Sequence, residues 1–311
     1  MYKKHYGFKE HPFALTPDPA FLYLSKQHKL ALNLLQFAIE SEAGVSLITG
    51  EVGSGKTTVI RKFLQQLDEN FKVGLITNVH DSFGDLLQWI LMAFDIQSDQ
   101  MNKASRYKLL VDFLVKQYSE NKRTILIIDE AQNMDIQTLE ELRLLSNINV
   151  DKHFMLQLIL VGQPELLNIM QKRELRQFAQ RVSVDYSLSN LNYKETLDYI
   201  KHRLQVAGVT TRIFDKHTMG VIFYHSNGIP RLINTLCDFA LVYGFAENRR
   251  HVNLNLMLDV LRDKQKGGIF PVVTHENNEQ AEIRQLIKHT KKVDILPEAR
   301  ITQAKNTLFK M

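Results

Sequence analysis

Val45-Ser46-Leu47-Ile48-Thr49-Gly50-Glu51-Val52-Gly53-Ser54-Gly55-Lys56-Thr57-Thr58 is the stretch around which the chain is organised. From Gly50 onward it has the spacing G-x-x-x-x-G-K-T of a phosphate-cradling loop. Gly50, Gly53 and Gly55 let the backbone turn tightly and aim N–H groups at phosphate oxygens without side-chain clash. Lys56 reaches the β- and γ-phosphates as a mobile positive charge. The Thr57 hydroxyl is placed to ligate Mg²⁺, and the following helix turns its positive end toward the anion. Val45–Thr49 reads as a buried strand entering the loop, and Val59, Ile60, Phe63, Leu64 and Leu67 keep helical spacing after it. Strand, loop and helix in that order define a nucleotide site at Gly50, Glu51, Val52, Gly53, Ser54, Gly55, Lys56, Thr57 and Thr58, with ATP and Mg²⁺ as the expected cofactors.

Working outward, Thr124-Ile125-Leu126-Ile127-Ile128-Asp129-Glu130 is an apolar run ending in two acids. A strand covered on both faces must be continuously apolar, and its C-terminal end opens onto the ligand crevice of an α/β sheet. Asp129 is therefore expected to hold Mg²⁺ with Thr57, and Glu130 to act as general base on the attacking water. The blander alternative for Glu130 is a solvated carboxylate at a helix start. Met155–Val161 is another apolar strand and ends at Gly162-Gln163-Pro164. If it lies between the strands of the two motifs, Gln163 can bond the γ-phosphate or the water; otherwise it is a plain strand-to-helix turn.

Glu174–Arg181 leads into a short strand, Val182–Tyr186. Arg176 and Arg181 are candidates to project from a subunit edge and stabilise charge at a neighbour's γ-phosphate. Either could instead serve as a surface ion-pair partner. Gly228-Ile229-Pro230-Arg231 places Pro at the first position of a helix. Arg231 would then reach back to bound nucleotide; a plain surface arginine there would sit unfavourably at the positive end of the helix dipole.

Composition narrows the class. Of 311 residues, 44% are hydrophobic and 23% charged, the balance of an ordinary globular protein with ample core. No apolar run approaches the ~20 residues of a membrane span, and Met1–Pro12 lacks a signal-peptide core, so the expected location is the cytoplasm. The single cysteine, Cys237, lies in an apolar run and is expected to pack rather than react. The eleven histidines show no ligand spacing. A net charge of +5 permits nucleic acid or an acidic surface as partner without demanding either.

Four segments follow. Residues 1–25 read as an extended, aromatic, proline-broken strap docked on the main domain or lying over an adenine. Residues 26–188 form the α/β nucleotide-binding domain with a central parallel sheet. Residues 189–266 carry helical periodicity alone, at Tyr193–Ala207, Asp215–His225, Pro230–Ala246 and Asn255–Asp263, and form a small all-helical lid. Residues 267–311 read as a polar, loosely attached tail with a short helix at Glu279–His289.

With YGFKEHPFALTPDPAFLYLS, GEVGSGKTT, LIIDEAQNM, LEELRLLSN, LILVGQPEL, ELRQFAQR and GIPRLIN in matching order over residues 1–265, the chain resembles the ExeA/GspA-type ATPases of general secretion and pilus assembly, within the AAA+ superfamily. The resemblance implies ATP bound between an α/β core and a helical lid, and a homo-oligomer that completes each site with an arginine. It implies Gln163 as sensor 1, Arg176 or Arg181 as finger and Arg231 as sensor 2. The implied role is assembly of an envelope machine (secretion, pilus or exopolysaccharide) through an inner-membrane partner. Relatives in type II secretion continue into a membrane span and a peptidoglycan-binding domain; this sequence shows neither. The alternative role is a DNA-binding transposition-regulator ATPase of the TnsC/TniB type, which shares the core.

Overall fold

Strands apolar on both faces need cover on both sides, and the chain supplies it by alternating strands with helices. The computed structural model describes residues 1–16, 18–77, 85–150, 153–267 and 276–295. In chain order these form α1 (Tyr2–Tyr6), α2 (Lys26–Glu40), β1 (Val45–Gly50), α3 (Lys56–Leu64), β2 (Phe71–Ile76), α4 (Leu86–Ala93), α5 (Lys103–Ser119) and β3 (Arg123–Ile128). There follow α6 (Ile136–Leu145), β4 (Asn149–Val150), β5 (His153–Phe154), β6 (Leu156–Gly162), α7 (Glu165–Met170), α8 (Arg176–Ala179) and β7 (Val182–Leu188). The chain closes with α9 (Tyr193–Val206), α10 (Lys216–Ser226), α11 (Pro230–Ala246), α12 (Leu254–Gly267) and α13 (Asn278–Lys291). Two units result: Lys26–Ser189, and Met1–Ser25 together with Asn190–Met311.

The first unit is built on five parallel strands in the order β2-β3-β6-β1-β7. β1 and β6 are buried at every position, as their lack of charged residues requires. The long polar residue inside β6, Gln157, donates its amide to the Ala38 and Ala43 carbonyls at 3.3 and 3.2 Å, while its buried Oε1 finds no partner among the described residues. Thr49 of β1 stands opposite Gly162 of β6, and Ile128 of β3 opposite Leu160. The C-terminal ends of all three strands therefore share one edge of the sheet. Leu126, Ile128, Leu158 and Leu160 pack with Leu91, Leu114, Leu142 and Phe178. Each such side chain contributes about 1.5–3 kcal/mol by leaving water. Asp85 and Asp135 start α4 and α6 by accepting N–H groups of Leu87 and Thr138. The antiparallel pair β4–β5 is an addition to the sequence reading; two residues per strand are too few to show a period.

The second unit is helical, with Ile200, Phe214, Tyr224, Ile233, Cys237 and Met257 at its centre. Cys237 is fully buried, and burial pushes its thiol up, away from reactivity. Two expectations need correction here. The strap belongs to the helical unit and not to the main α/β domain: Tyr2, Tyr6, Phe8, Phe13 and Phe21 are part of the helical core. Buried Arg203 of α9 clasps it, donating Nε to Pro12 O at 2.5 Å and Nη2 to Ala14 O at 3.1 Å, with its guanidinium 4.7 Å from the Phe21 ring centroid. Tyr2 donates to Asp238, which together with burial moves its hydroxyl pKa far up. The strap is also not wholly extended, since α1 forms and ends on Gly7 at φ 80°.

The tail is not loose where it is described. α13 packs Ile283 and Ile287 into the helical core, and Gln280 donates to Tyr224 O at 2.6 Å. Two apolar residues one turn apart among polar ones give a weak signal in sequence but a sufficient anchor. The rest of the tail reading, residues 268–275 and 296–311, lies outside the described residues.

His225, fully buried, fixes the end of this segment by donating Nε2 to the Ile295 carbonyl at 3.1 Å. Burial lowers its pKa from 6.5 to about 4, against the raising effect of that hydrogen bond. The unfolded chain takes up the proton below pH 6.5, while the folded unit resists it until about pH 4. Stability present above pH 6.5 is therefore lost as pH falls through that window, by about 1.4 kcal/mol per unit and about 3 kcal/mol in total. Urea melts at pH 7.0, 5.5 and 4.5 should show this loss, and His225→Gln should flatten it. Parallel pH dependence in the two proteins would dismiss His225 as its source.

Candidate functional site

The site is assembled where β1, β3 and β6 end. After β1 the chain turns through Gly53 and Gly55 at φ 83° and 107°, conformations side chains resist. A Cβ on Gly55 would stand 2.8 Å from the imidazole Nε2 of His28. His28, buried on α2, donates that nitrogen to the Ser54 carbonyl at 3.1 Å and so braces the loop from beneath. Thr49 Oγ1 and Ser54 Oγ are buried at the loop and have no hydrogen-bond partner among the described residues. Glu51 and Val52 form the loop's exposed crest, and Thr58 is half-buried in the first turn of α3.

Lys56 is only 6% exposed. Its Nζ donates to the Gly50 and Glu51 carbonyls at 2.7 and 3.1 Å, which curls it over the loop it belongs to. Burial lowers its pKa, opposed by the carboxylates of Glu130, Asp129, Glu51 and Glu165. The four carboxylates favour its charge, and burial outweighs them.

Thr57 donates Oγ1 to Asp129 Oδ2 at 3.0 Å, and the other carboxylate oxygen of Asp129 accepts the Glu130 N–H at 3.0 Å. A hydroxyl and a buried carboxylate in contact are hard oxygen donors. They suit an ion such as Mg²⁺, which keeps several waters and takes its remaining ligands from phosphate. Among the described residues no group of three or more His, Cys, Asp or Glu forms an all-protein metal cage.

Glu130 sits at φ 57°, a left-handed backbone that is uncommon outside glycine. Its Oε2 accepts Gln132 Nε2 at 2.6 Å and Gln163 Nε2 at 3.2 Å. Burial raises its pKa, but the two amide donors and the Lys56 charge together outweigh this and leave it lowered. The group stays ionised at neutral pH, as a base must. Gln163 follows β6, the strand flanked by β1 and β3, so the spatial condition for a sensing role is met.

Lys56, Thr57, Asp129, Glu130 and Gln163 thus form one cluster. Arg176 opens α8 and is exposed, while Arg181 is half-buried and directs Nη1 to Ser146 O at a long 3.5 Å. Arg231 is exposed in the first turn of α11, behind Pro230, and belongs to the helical unit.

Two residues of the site escaped the sequence reading. His28 lies far upstream of the loop, and its only signal was a lone histidine on an otherwise apolar helix face. Gln132, two residues after Glu130, donates to Glu130 and accepts the Gln163 N–H at Oε1, 2.9 Å. Nothing in local spacing announces a contact that depends on β6 lying beside β3.

A parallel sheet with a glycine-rich loop, lysine and threonine at one strand end, and Asp-Glu at another, defines a P-loop ATPase core. The family described as AAA domain matches residues 39–170, the part of the chain that carries the glycine-rich loop and the Asp129-Glu130 strand end. It is similar to General secretion pathway protein A of Aeromonas hydrophila, 38% identical over 253 residues, which cover 81% of this chain and 46% of that protein. It is also 30% identical over 138 residues to ATP-dependent target DNA activator B of Escherichia phage Mu, covering 44% of this chain and 42% of that protein. The chain thus spans about half the length of the curated relatives it matches. Among solved structures, the Aeropyrum pernix ORC2 protein in its ADPNP–ADP complexes has the same fold, with a TM-score of 0.62 at 19% identity over 82% of this chain and 72% of that one. No helix among the described residues is long and apolar enough to cross a membrane.

Proposed function

We propose that the protein hydrolyses ATP to drive or regulate assembly of a bacterial envelope machine, working as a homo-oligomer on the cytoplasmic side and through an inner-membrane partner. The carrying observation is the extent of likeness to General secretion pathway protein A. It runs over 81% of the chain, beyond any single unit, whereas likeness to the phage activator stops at 44%. In this reading the N–H groups of Gly50–Thr58 bind the phosphates and Lys56 swings from its carbonyls onto the β- and γ-oxygens. Thr57 and Asp129 hold Mg²⁺, which when bound neutralises charge on the phosphates. Glu130 takes the proton of the attacking water and Gln163 reports on the γ-phosphate. Arg176 or Arg181 serves a neighbouring subunit's site, Arg176 being the freer side chain, and Arg231 answers bound nucleotide from the helical unit.

The phage likeness keeps one rival in view, an ATPase that works on DNA. Both are tested by phosphate release from purified protein with and without duplex DNA at low and moderate salt. Hydrolysis indifferent to DNA supports the envelope reading. Stimulation by DNA that fades steeply with salt would replace it, since contacts to phosphates release counterions.

A further inference from the structure

The geometry points to Gln132 as the residue that positions Glu130, locking one carboxylate oxygen by an amide held at both ends and leaving the other oxygen to accept the proton. This rests on the hydrolase reading above and names a positioning residue within it.

The amide's orientation is dictated by its neighbours. A backbone N–H can only donate, so the atom 2.9 Å from Gln163 N must be Gln132 Oε1. The other end must then be the NH₂ group, and it faces Glu130 Oε2 at 2.6 Å, the shorter of the two amide bonds to that oxygen. Gln163 adds the second donation, so Oε2 is saturated in the direction of β6. Among the described residues Oε1 of Glu130 takes no hydrogen bond. A carboxylate tied through one oxygen cannot rotate freely, and its remaining oxygen is the one able to act as base.

The surroundings are shaped for this bracket. A Cβ at Gly162 would stand 2.8 Å from Leu166 Cδ2 and 2.9 Å from Gln132 Oε1, so a side chain there would press on the amide. The left-handed turn at Glu130 and the short 3₁₀ helix Ala131–Asn133 bring Gln132 back over its neighbour. Gln132 therefore couples the position of the base to the end of β6, where Gln163 stands.

The test uses the whole chain, as wild type, Gln132→Met, Gln132→Glu and Glu130→Gln. It measures steady-state ATP hydrolysis, affinity for a fluorescent ATP analogue and thermal midpoint. Methionine keeps the length and removes both hands; glutamate keeps an acceptor for Gln163 N–H but sets a second carboxylate against Glu130. Gln132→Met should lower kcat about 10- to 30-fold with KM, affinity and melting changed little. Gln132→Glu should fall further, on kcat alone. Wild-type kcat in both variants, or joint loss of binding and melting temperature, would reduce Gln132 to a bystander or a structural support. Should Glu130→Gln be inactive while Gln132→Met runs at the wild-type rate, the Gln132 inference fails alone. If wild type releases no phosphate, or Glu130→Gln matches it, the hydrolase reading falls and takes this inference with it.

Discussion

Glu130→Gln is expected to lower kcat for ATP by about 10²- to 10⁴-fold while leaving nucleotide affinity within a few-fold of wild type. Glutamine keeps the shape of the side chain. Its carbonyl oxygen can still accept from Gln132 and Gln163, which hold Glu130 Oε2 at 2.6 and 3.2 Å. What disappears is the negative oxygen able to take a proton. Lys56 also loses one of the four carboxylates that oppose the effect of its burial. Removing that acid should make the bound phosphates harder to release rather than easier, so affinity is expected to hold or rise. Phosphate release together with equilibrium nucleotide binding decides the matter. A variant hydrolysing within about threefold of wild type would strip Glu130 of the base role.

The largest loss of stability is expected at Gly228→Ala. Gly228 has φ 69°, and a Cβ built on it would lie 1.8 Å from the Leu191 carbonyl oxygen, a backbone atom with nowhere to go. The same carbonyl region is fixed from the other side, because Leu191 N donates to Gly228 O at 3.0 Å. Relief would break this exchange between the start of the helical unit's second segment and the turn before α11. Left-handed strain of about 1 kcal/mol adds to the clash. The total should exceed about 4 kcal/mol, which belongs to the rare severe class of single substitutions. Loss of expression as folded protein, or a melting midpoint lowered by ten degrees or more, is the expected reading. A midpoint within about two degrees of wild type would show that Leu191 can yield.

The parts of this molecule that could be read in advance are those whose signal is local. β1, the loop and α3 follow from an apolar run, three glycines and a helical period. β3 follows from unbroken apolar residues ending at Asp129. The helices at Tyr193–Val206 and Pro230–Ala246 follow from their helical period. The parts that could not be read depend on what lies opposite. Tyr2, Tyr6 and Phe13 announce that they must be buried, yet an aromatic ring carries no address, and their cover is the helical core to which α9 and α11 belong. Ile283 and Ile287 speak too softly among polar residues to reveal a docked helix. His28 and Gln132 act on groups brought near by sheet order, which spacing along the chain does not encode.

Both ends of the described chain belong to the helical unit, so the nucleotide-binding unit is an insertion between Ser25 and Asn190. This sets a timetable for synthesis. Tyr6 meets the carbonyl of Leu241, a partner 235 residues later. At roughly 5–20 residues per second, the strap leaves the ribosome on the order of ten to fifty seconds before the helix that will cover it. In that interval the inserted unit has its whole sequence and can fold, while the strap's aromatic side chains wait in water. The nascent chain therefore carries an aromatic strap without its cover beside a nucleotide-binding unit whose sequence is already complete.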